Sequence, residues 1–361
     1  MATLILFVII FGVVVIAHEF GHYLIAKVNG IHVVEFAVGM GPNLFSFQKG
    51  DTKYSLKLFP IGGACIFEGE DGVAEKDEKT GEKTEPGDGS FLKAKVWSRI
   101  ATVFAGPFFN FVLAFVVAFI MVNMSDTIAI MDPVIAQVSE GGSAEAAGLQ
   151  AGDKIISLNG DRIKLYQEIS MFMQMTYRGG EIDVVYERNG QRNSLKLTPQ
   201  YNETYGYYML GVVNDQFVTP KGIQTIRYAW YEMRYSVKAT YKSLGMLFQG
   251  KVSRKDVAGP VGIAVNVVGK TYEEAKDYGW KSVLVSMMNI MLMLSVNLGI
   301  LNLLPIPALD GGRLVFLLVE VVRGKPVPPE KEGIVHFVGL VFFMVLMVFV
   351  FFNDLANIFI K

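Results

Sequence analysis

Two histidines and a glutamate fall within five residues, His18-Glu19-Phe20-Gly21-His22, directly after a long apolar run. On a helix, residues i and i+4 stand one above the other, so both imidazoles would point to one place. Two neutral ring nitrogens at that spacing suit a zinc ion, and Glu19 sits beside them to take a proton from water. Two surface histidines on an amphipathic helix would be the plainer reading. At membrane depth it leaves three polar side chains without a role, which the cost of burying them argues against. A catalytic zinc takes a third protein ligand and keeps one position open. Asp310 is the candidate, in Asn302-Leu303-Leu304-Pro305-Ile306-Pro307-Ala308-Leu309-Asp310-Gly311-Gly312. The two prolines break an apolar segment, which is tolerated at membrane depth only where protein or water satisfies the freed backbone. From the residues alone, Asp310 is either a ligand beside a water-accessible cavity or a headgroup-level carboxylate in a simple helix stop. His32 and His336 read as interfacial, and Cys65 as a small buried residue. Gly106-Pro107 and Asn110 either mark a kink and a polar helix contact or face the cavity.

These groups need elements to hold them. Of 361 residues, 52% are hydrophobic, a share that calls for membrane spans. Four runs qualify: Ala2–Ala17, about Ile100–Met124, about Val283–Leu304 and about Ile334–Ile360. Each can cross a hydrocarbon core of roughly 30 Å as a helix. The first run lacks a basic leader and an A-x-A cleavage site, so it reads as a retained span rather than a signal peptide. A net charge of -1 gives no basic excess for a nucleic-acid partner, and a single cysteine excludes an intrachain disulfide or a cysteine-built zinc site. Lysines and arginines crowd the segments between spans one and two and between spans three and four. The charge rule then puts those segments in the cytosol, with both termini and the long middle segment outside.

His32–Glu68 alternates like strand, above all at Tyr54-Ser55-Leu56-Lys57-Leu58-Phe59, and reads as a small membrane-associated β-hairpin or sheet. An exposed strand edge there would offer hydrogen-bond partners to an extended peptide through Tyr54, Leu56 and Leu58. The alternative is a structural hairpin that plugs the cytosolic face. Glu70–Ser90 is charged and Gly-rich, a mobile loop. Val134–Val218 is a soluble α+β stretch with strands expected at Val134–Val138, Lys154–Leu158, Ile182–Glu187 and Ser194–Leu197, and turns at Asn159-Gly160 and Asn189-Gly190. Its Ala147-Gly148-Leu149-Gln150-Ala151-Gly152-Asp153 run resembles bacterial PDZ domains. Thr225–Phe248 mixes aromatic and basic residues as interfacial helices do.

Taken together, the motifs resemble the site-2 protease family of intramembrane zinc metalloproteases, specifically the bacterial RseP-like group with a single PDZ domain. The resemblance rests on HEFGH, FPIGG (Phe59–Gly63), AGPFFNF (Ala105–Phe111), AGPVGIA (Ala258–Ala264), NLGILNLLPIPALDGG (Asn297–Gly312) and FFND (Phe351–Asp354). It implies Zn2+ on His18, His22 and Asp310, Glu19 as general base, and Asn302 as a contact to the substrate backbone. It also implies single-pass membrane substrates, such as trimmed anti-sigma factors or signal-peptide remnants, and a bacterial plasma (inner) membrane location. The rival reading is a non-catalytic membrane PDZ scaffold or chaperone, which would have no need of all four polar residues.

The expected fold is therefore a polytopic α-helical membrane protein with four transmembrane helices, a membrane-associated β-hairpin or sheet, and an inserted α+β PDZ-like domain. Its segments are 1–30 (first span with the zinc motif), 31–99 (cytosolic β region and charged loop) and 100–124 (second span). They continue with 130–220 (extracytoplasmic PDZ-like domain), 221–282 (helical, interfacial), 283–323 (third, broken span) and 324–361 (cytosolic loop and fourth span).

Overall fold

The computed structural model describes residues 2–70, 87–253 and 257–359, so most of the expected mobile loop lies outside the described residues. The chain forms two units, Met1–Val117 with Ser253–Lys361, and Ala118–Val252. The first unit begins with helix α1 (Ala2–Val28), strands β1 (Val33–Lys49) and β2 (Thr52–Phe67), and helix α2 (Val96–Met124), whose last turns enter the second unit. The second unit holds β3 (Ile128–Ala129), β4 (Gln137–Val138), α3 (Ser143–Ala146), β5 (Lys154–Leu158), β6 (Asp161–Arg162) and α4 (Gln167–Met171). It continues through β7 (Ile182–Arg188), β8 (Gln191–Leu197), β9 (Gln200–Asn202), β10 (Tyr207–Met209), β11 (Val212–Val213), β12 (Phe217–Val218) and α5 (Ile223–Phe248). The first unit resumes with α6 (Pro260–Gly262), α7 (Lys270–Lys276), α8 (Trp280–Asn302), α9 (Asp310–Arg323) and α10 (Pro329–Phe359).

Four helices among the described residues are long and apolar enough to cross a membrane: α1, α2, α8, and α10 over Glu330–Asn357. The α10 span is 6% buried against the rest of the chain, so its large apolar side chains are left to lipid. Helix α1 does not stop where its apolar run does. It carries on through His18 and His22 to Val28, which places the motif in the middle of a continuous helix.

β1 and β2 each double back, and together they make four rows rather than a plain hairpin. The first half of β1 pairs on one side with Gly63–Phe67 and on the other with Lys53–Leu56. Lys53–Leu56 then pairs again, on its far side, with Phe45–Gln48. Positive φ at Gly39, Gly41 and Gly62 makes the bends, in a region where a side chain would be strained. Tyr54 thus faces both Phe36 and Phe47, and Leu56 both Val38 and Phe45. The expected exposed edge at Tyr54–Leu58 is corrected on this point: its backbone partners at Tyr54–Leu56 are already taken. The ladder-free edges of this sheet lie at Asn43–Lys49 and Gly63–Phe67.

In the second unit a four-stranded antiparallel sheet runs in the order β6-β5-β7-β8. Asn159-Gly160 and Asn189-Gly190 close its hairpins with positive φ at both residues of each pair, as type I′ turns require. Ile135, Ile155, Leu158, Ile169, Phe172 and Val184 fill its core. Glu168, 1% exposed, accepts hydrogen bonds at 2.8 Å from both Arg234 and Lys238. Lys242 reaches Asp161 at 2.5 Å. These bonds join the basic side chains of α5 to the inserted domain, so residues 223–248 pack with that unit. One half of a buried carboxylate pair left alone is costly, which keeps α5 in place.

Candidate metal and catalytic centre

Everything at the centre belongs to the first unit. His18 and His22 are each 7% exposed, and their Nε2 atoms lie 3.3 Å apart. Asp310 Oδ2 is 3.2 Å from His18 Nε2 and 3.4 Å from His22 Nε2. That oxygen is buried yet makes no hydrogen bond within the chain. The outer nitrogens of both rings are engaged elsewhere: His22 Nδ1 donates to the Thr102 carbonyl at 2.9 Å, and His18 Nδ1 faces the Asn110 side chain at 3.1 Å. With the ring protons on Nδ1, two nitrogen lone pairs and a carboxylate oxygen converge, and all three repel one another unless a cation sits between them. Two imidazoles and one carboxylate form a donor set of the kind that holds a catalytic zinc.

Glu19 lies on the same helix, with its carboxylate near the backbone N–H of Cys65 in β2. A Cβ at Gly63 would sit 2.8 Å from Glu19 Cγ and 3.0 Å from Val15 Cγ1, so β2 can come this close only with glycine there. Helix α2 approaches the other side of α1 by the same device: a Cβ on Gly106 would fall on the His22 ring, and one on Gly21 on the Ala105 carbonyl. Small residues let membrane helices touch backbone to backbone. Pro107 interrupts the α2 hydrogen-bond ladder in this turn, beside the Thr102 carbonyl that holds His22.

The comparisons with known proteins agree with this geometry. A model of peptidase family M50 matches residues 6–346. The chain belongs to this family. The zinc metalloprotease RasP of Geobacillus kaustophilus is 34% identical, over 99% of this chain and 98% of its own length. The regulator of sigma-W protease RasP of Bacillus subtilis is 31% identical, over 99% of each. A solved PDZ domain from Listeria monocytogenes aligns with 24% of this chain and 92% of its own, at 17% identity and a TM-score of 0.22. The chain is thus a zinc metalloprotease of the site-2 protease family, with four candidate membrane-spanning helices.

For an M50 peptidase the way Asp310 is presented to the two histidines matters as much as the histidines themselves. Helix α8 ends at Asn302, whose Nδ2 is 3.5 Å from His18 Nε2. Pro305 and Pro307 prevent the helix from continuing, and α9 starts afresh at Asp310, so the carboxylate sits at a positive helix end. A Cβ on Gly312 would lie 2.5 Å from the Ile306 carbonyl, and one on Gly311 would overlap the Leu304 carbonyl. The paired glycines therefore let α9 fold tightly back on the loop. Ala308 holds a positive φ of 70° inside that loop, and its N–H donates to His336 Nδ1 of α10 at 2.9 Å. Helix α10 also abuts Pro307 at Gly339, where a Cβ would come within 2.5 Å. His336, which reads as interfacial rather than as a ligand in the sequence, also holds the Asp310 loop. Its seat inside an apolar span was the available signal.

Of the hairpin residues, Tyr54 bonds Tyr23 Oη at 2.6 Å, one residue past His22. It ties the sheet to the catalytic helix and lines an apolar cavity of about 320 Å³ with Ile16, Phe36 and Leu56. Leu56 and Leu58 are 49% and 46% exposed, and neither is brought to the metal ligands. A second, polar cavity of about 650 Å³ opens beside Asp310, lined among others by Arg99, Arg313, Glu332 and His336. Its charges are matched: Arg99 pairs with Glu320, and Arg313 with Glu70 and Glu332. His32 bonds Glu68 at 2.8 Å, away from the centre.

Proposed function

We propose that the chain is an intramembrane endopeptidase that cleaves single-pass membrane proteins, trimmed anti-sigma factors or signal-peptide remnants, within a bacterial plasma membrane. The observation that carries this reading is the convergence of His18, His22 and Asp310 on helices of membrane-spanning character, with Glu19 between them. Zinc, when bound there, polarises a carbonyl and acidifies water. The rest falls to the protein. The Cys65 N–H orients the Glu19 carboxylate, which accepts the proton of the attacking water and can return it to the leaving amine. Asn302, whose Nδ2 lies 3.5 Å from His18 Nε2, would hold the substrate backbone. The name of the Bacillus subtilis relative, a regulator of sigma-W protease, supports a substrate class of membrane-bound sigma regulators.

A substrate helix must surrender its own hydrogen bonds before it can be cut. Tyr54 and Leu56 would act on such a substrate through side-chain contact in the apolar cavity rather than through their paired backbone, with exposed Leu58 beyond that cavity's lining. The test is co-expression with tagged single-pass membrane proteins, wild type against Glu19→Gln. Cleavage confined to wild type is expected. Cleavage equal in both would sink the reading.

A further inference from the structure

A fully buried asparagine stands against one of the two metal-facing histidines, and the requirements of the metal fix what it must do. Asn110 is 0% exposed, and its side chain lies 3.1 Å from His18 Nδ1. Its backbone carbonyl accepts from Ser295 Oγ of α8 at 2.7 Å. A Cβ on Gly299 of α8 would lie 3.3 Å from Asn110 Cβ, so the two helices pin this residue in place. Nδ2 is the atom drawn toward Nδ1, and Oδ1 is left buried without a hydrogen-bond partner. That arrangement puts the ring proton of His18 on Nε2, where it would block the metal. If Nε2 offers its lone pair, the proton sits on Nδ1, and a donor there needs an acceptor opposite. The two ends of an amide are nearly the same shape, so turning it over supplies one.

We propose that Asn110 is a positioning residue of the metal centre, its Oδ1 accepting the Nδ1 proton of His18 and fixing the ring with Nε2 toward the ion. This rests on the reading of His18 as a ligand. The two histidines are then held differently. His22 is oriented by a main-chain carbonyl that no substitution removes, whereas His18 depends on one side chain. Outer partners of this kind orient the ring and raise its basicity. A polar side chain that served only to join α2 to α8 would have no reason to face Nδ1.

The test compares zinc affinity by chelator competition, and the visible bands of the cobalt-loaded protein, in wild type, Asn110→Leu, Asn110→Asp and His18→Ala, all purified in detergent. Leucine keeps the volume and loses the acceptor; aspartate keeps the acceptor. Asn110→Leu should weaken zinc about 10- to 100-fold and shift the cobalt bands, with the metal-free protein unfolding near the wild-type temperature. Asn110→Asp should bind at least as tightly as wild type. Wild-type affinity in Asn110→Leu overturns the proposal, and so does equal weakening in Leu and Asp, which would mean packing alone. If His18→Ala keeps wild-type affinity, the ligand reading itself fails, and that outcome is distinct from the other two.

Discussion

At the scale of single residues, the centre separates binding from proton transfer. Glu19 is on the helix that carries the two proposed histidine ligands, and its carboxylate also faces the Cys65 N–H of β2. Glu19→Gln should therefore fold and bind near one zinc per chain while losing at least about 100-fold in cleavage, because an amide cannot take the proton. Metal analysis alongside a cleavage assay checks both halves of that expectation. Asp310→Ala, by contrast, should lose the metal and the activity together; full metal with full activity would refute its role as third ligand. His336 belongs at this scale too. Replacing it with leucine leaves the Ala308 N–H without an acceptor, a cost of about 1–3 kcal/mol if the site stays dry. A lower unfolding midpoint in detergent should accompany faster loss of zinc to a chelator, since the loop that presents Asp310 loosens.

At the scale of elements, close approach is the recurring device. α1 lies between β2 at Gly63 and α2 at Gly106, and in both places a methyl group would strike a catalytic or ligand side chain. Gly106→Ala should displace His22 and abolish metal binding even though alanine suits a helix better than glycine. Gly63→Val should leave zinc bound but cut activity, because it pushes on Glu19 and Val15 and not on the ligands. A Gly63→Val protein with wild-type turnover would show that β2 does not position the base. The sheet also shows how far local pattern reaches. Alternation at Tyr54–Phe59 marks a strand and its two faces, but the neighbours of that strand depend on β1 and β2 each folding back on themselves. No window of sequence reports that.

At the scale of the whole molecule, the expected orientation puts the β region inside the cell and the inserted domain outside. In a Cys65→Ala background, a cysteine at Asp88 should react with an impermeant probe only after the cytosolic side is opened, and one at Asn189 should react from outside. The reverse pattern would overturn the orientation. The inserted domain can act on substrates in two ways, by excluding bulky ones or by capturing a trimmed end in its groove. A cleft runs between Tyr166–Met173 and Tyr207–Val212 of this domain. The stretch just before Val134 has no glycine loop of the kind that captures a peptide carboxylate, which favours exclusion. Replacing Val134–Val218 with a short flexible linker should then permit cleavage of untrimmed substrates while trimmed ones are still processed. If trimmed substrates escape instead, the domain captures them.

What the sequence determined by itself was set by short-range periodicity and composition. Hydropathy marked four spans, the i and i+4 spacing put His18 and His22 on one helix face, and the two asparagine-glycine pairs placed the hairpins of the inserted domain. Asp310 was legible as a carboxylate after a broken span, but its choice between ligand and helix stop needed either the family resemblance or the fold. Tertiary structure alone decided the rest: that Oδ2 of Asp310 meets both imidazoles, that Asn110 and Thr102 stand behind them, that His336 holds the loop, and that Tyr54–Leu56 is paired on both sides. Most of these join groups tens to hundreds of residues apart. A helix repeats every few residues and can be read locally, whereas side-chain and ladder partners at such separation are chosen by packing, which one stretch of sequence does not encode.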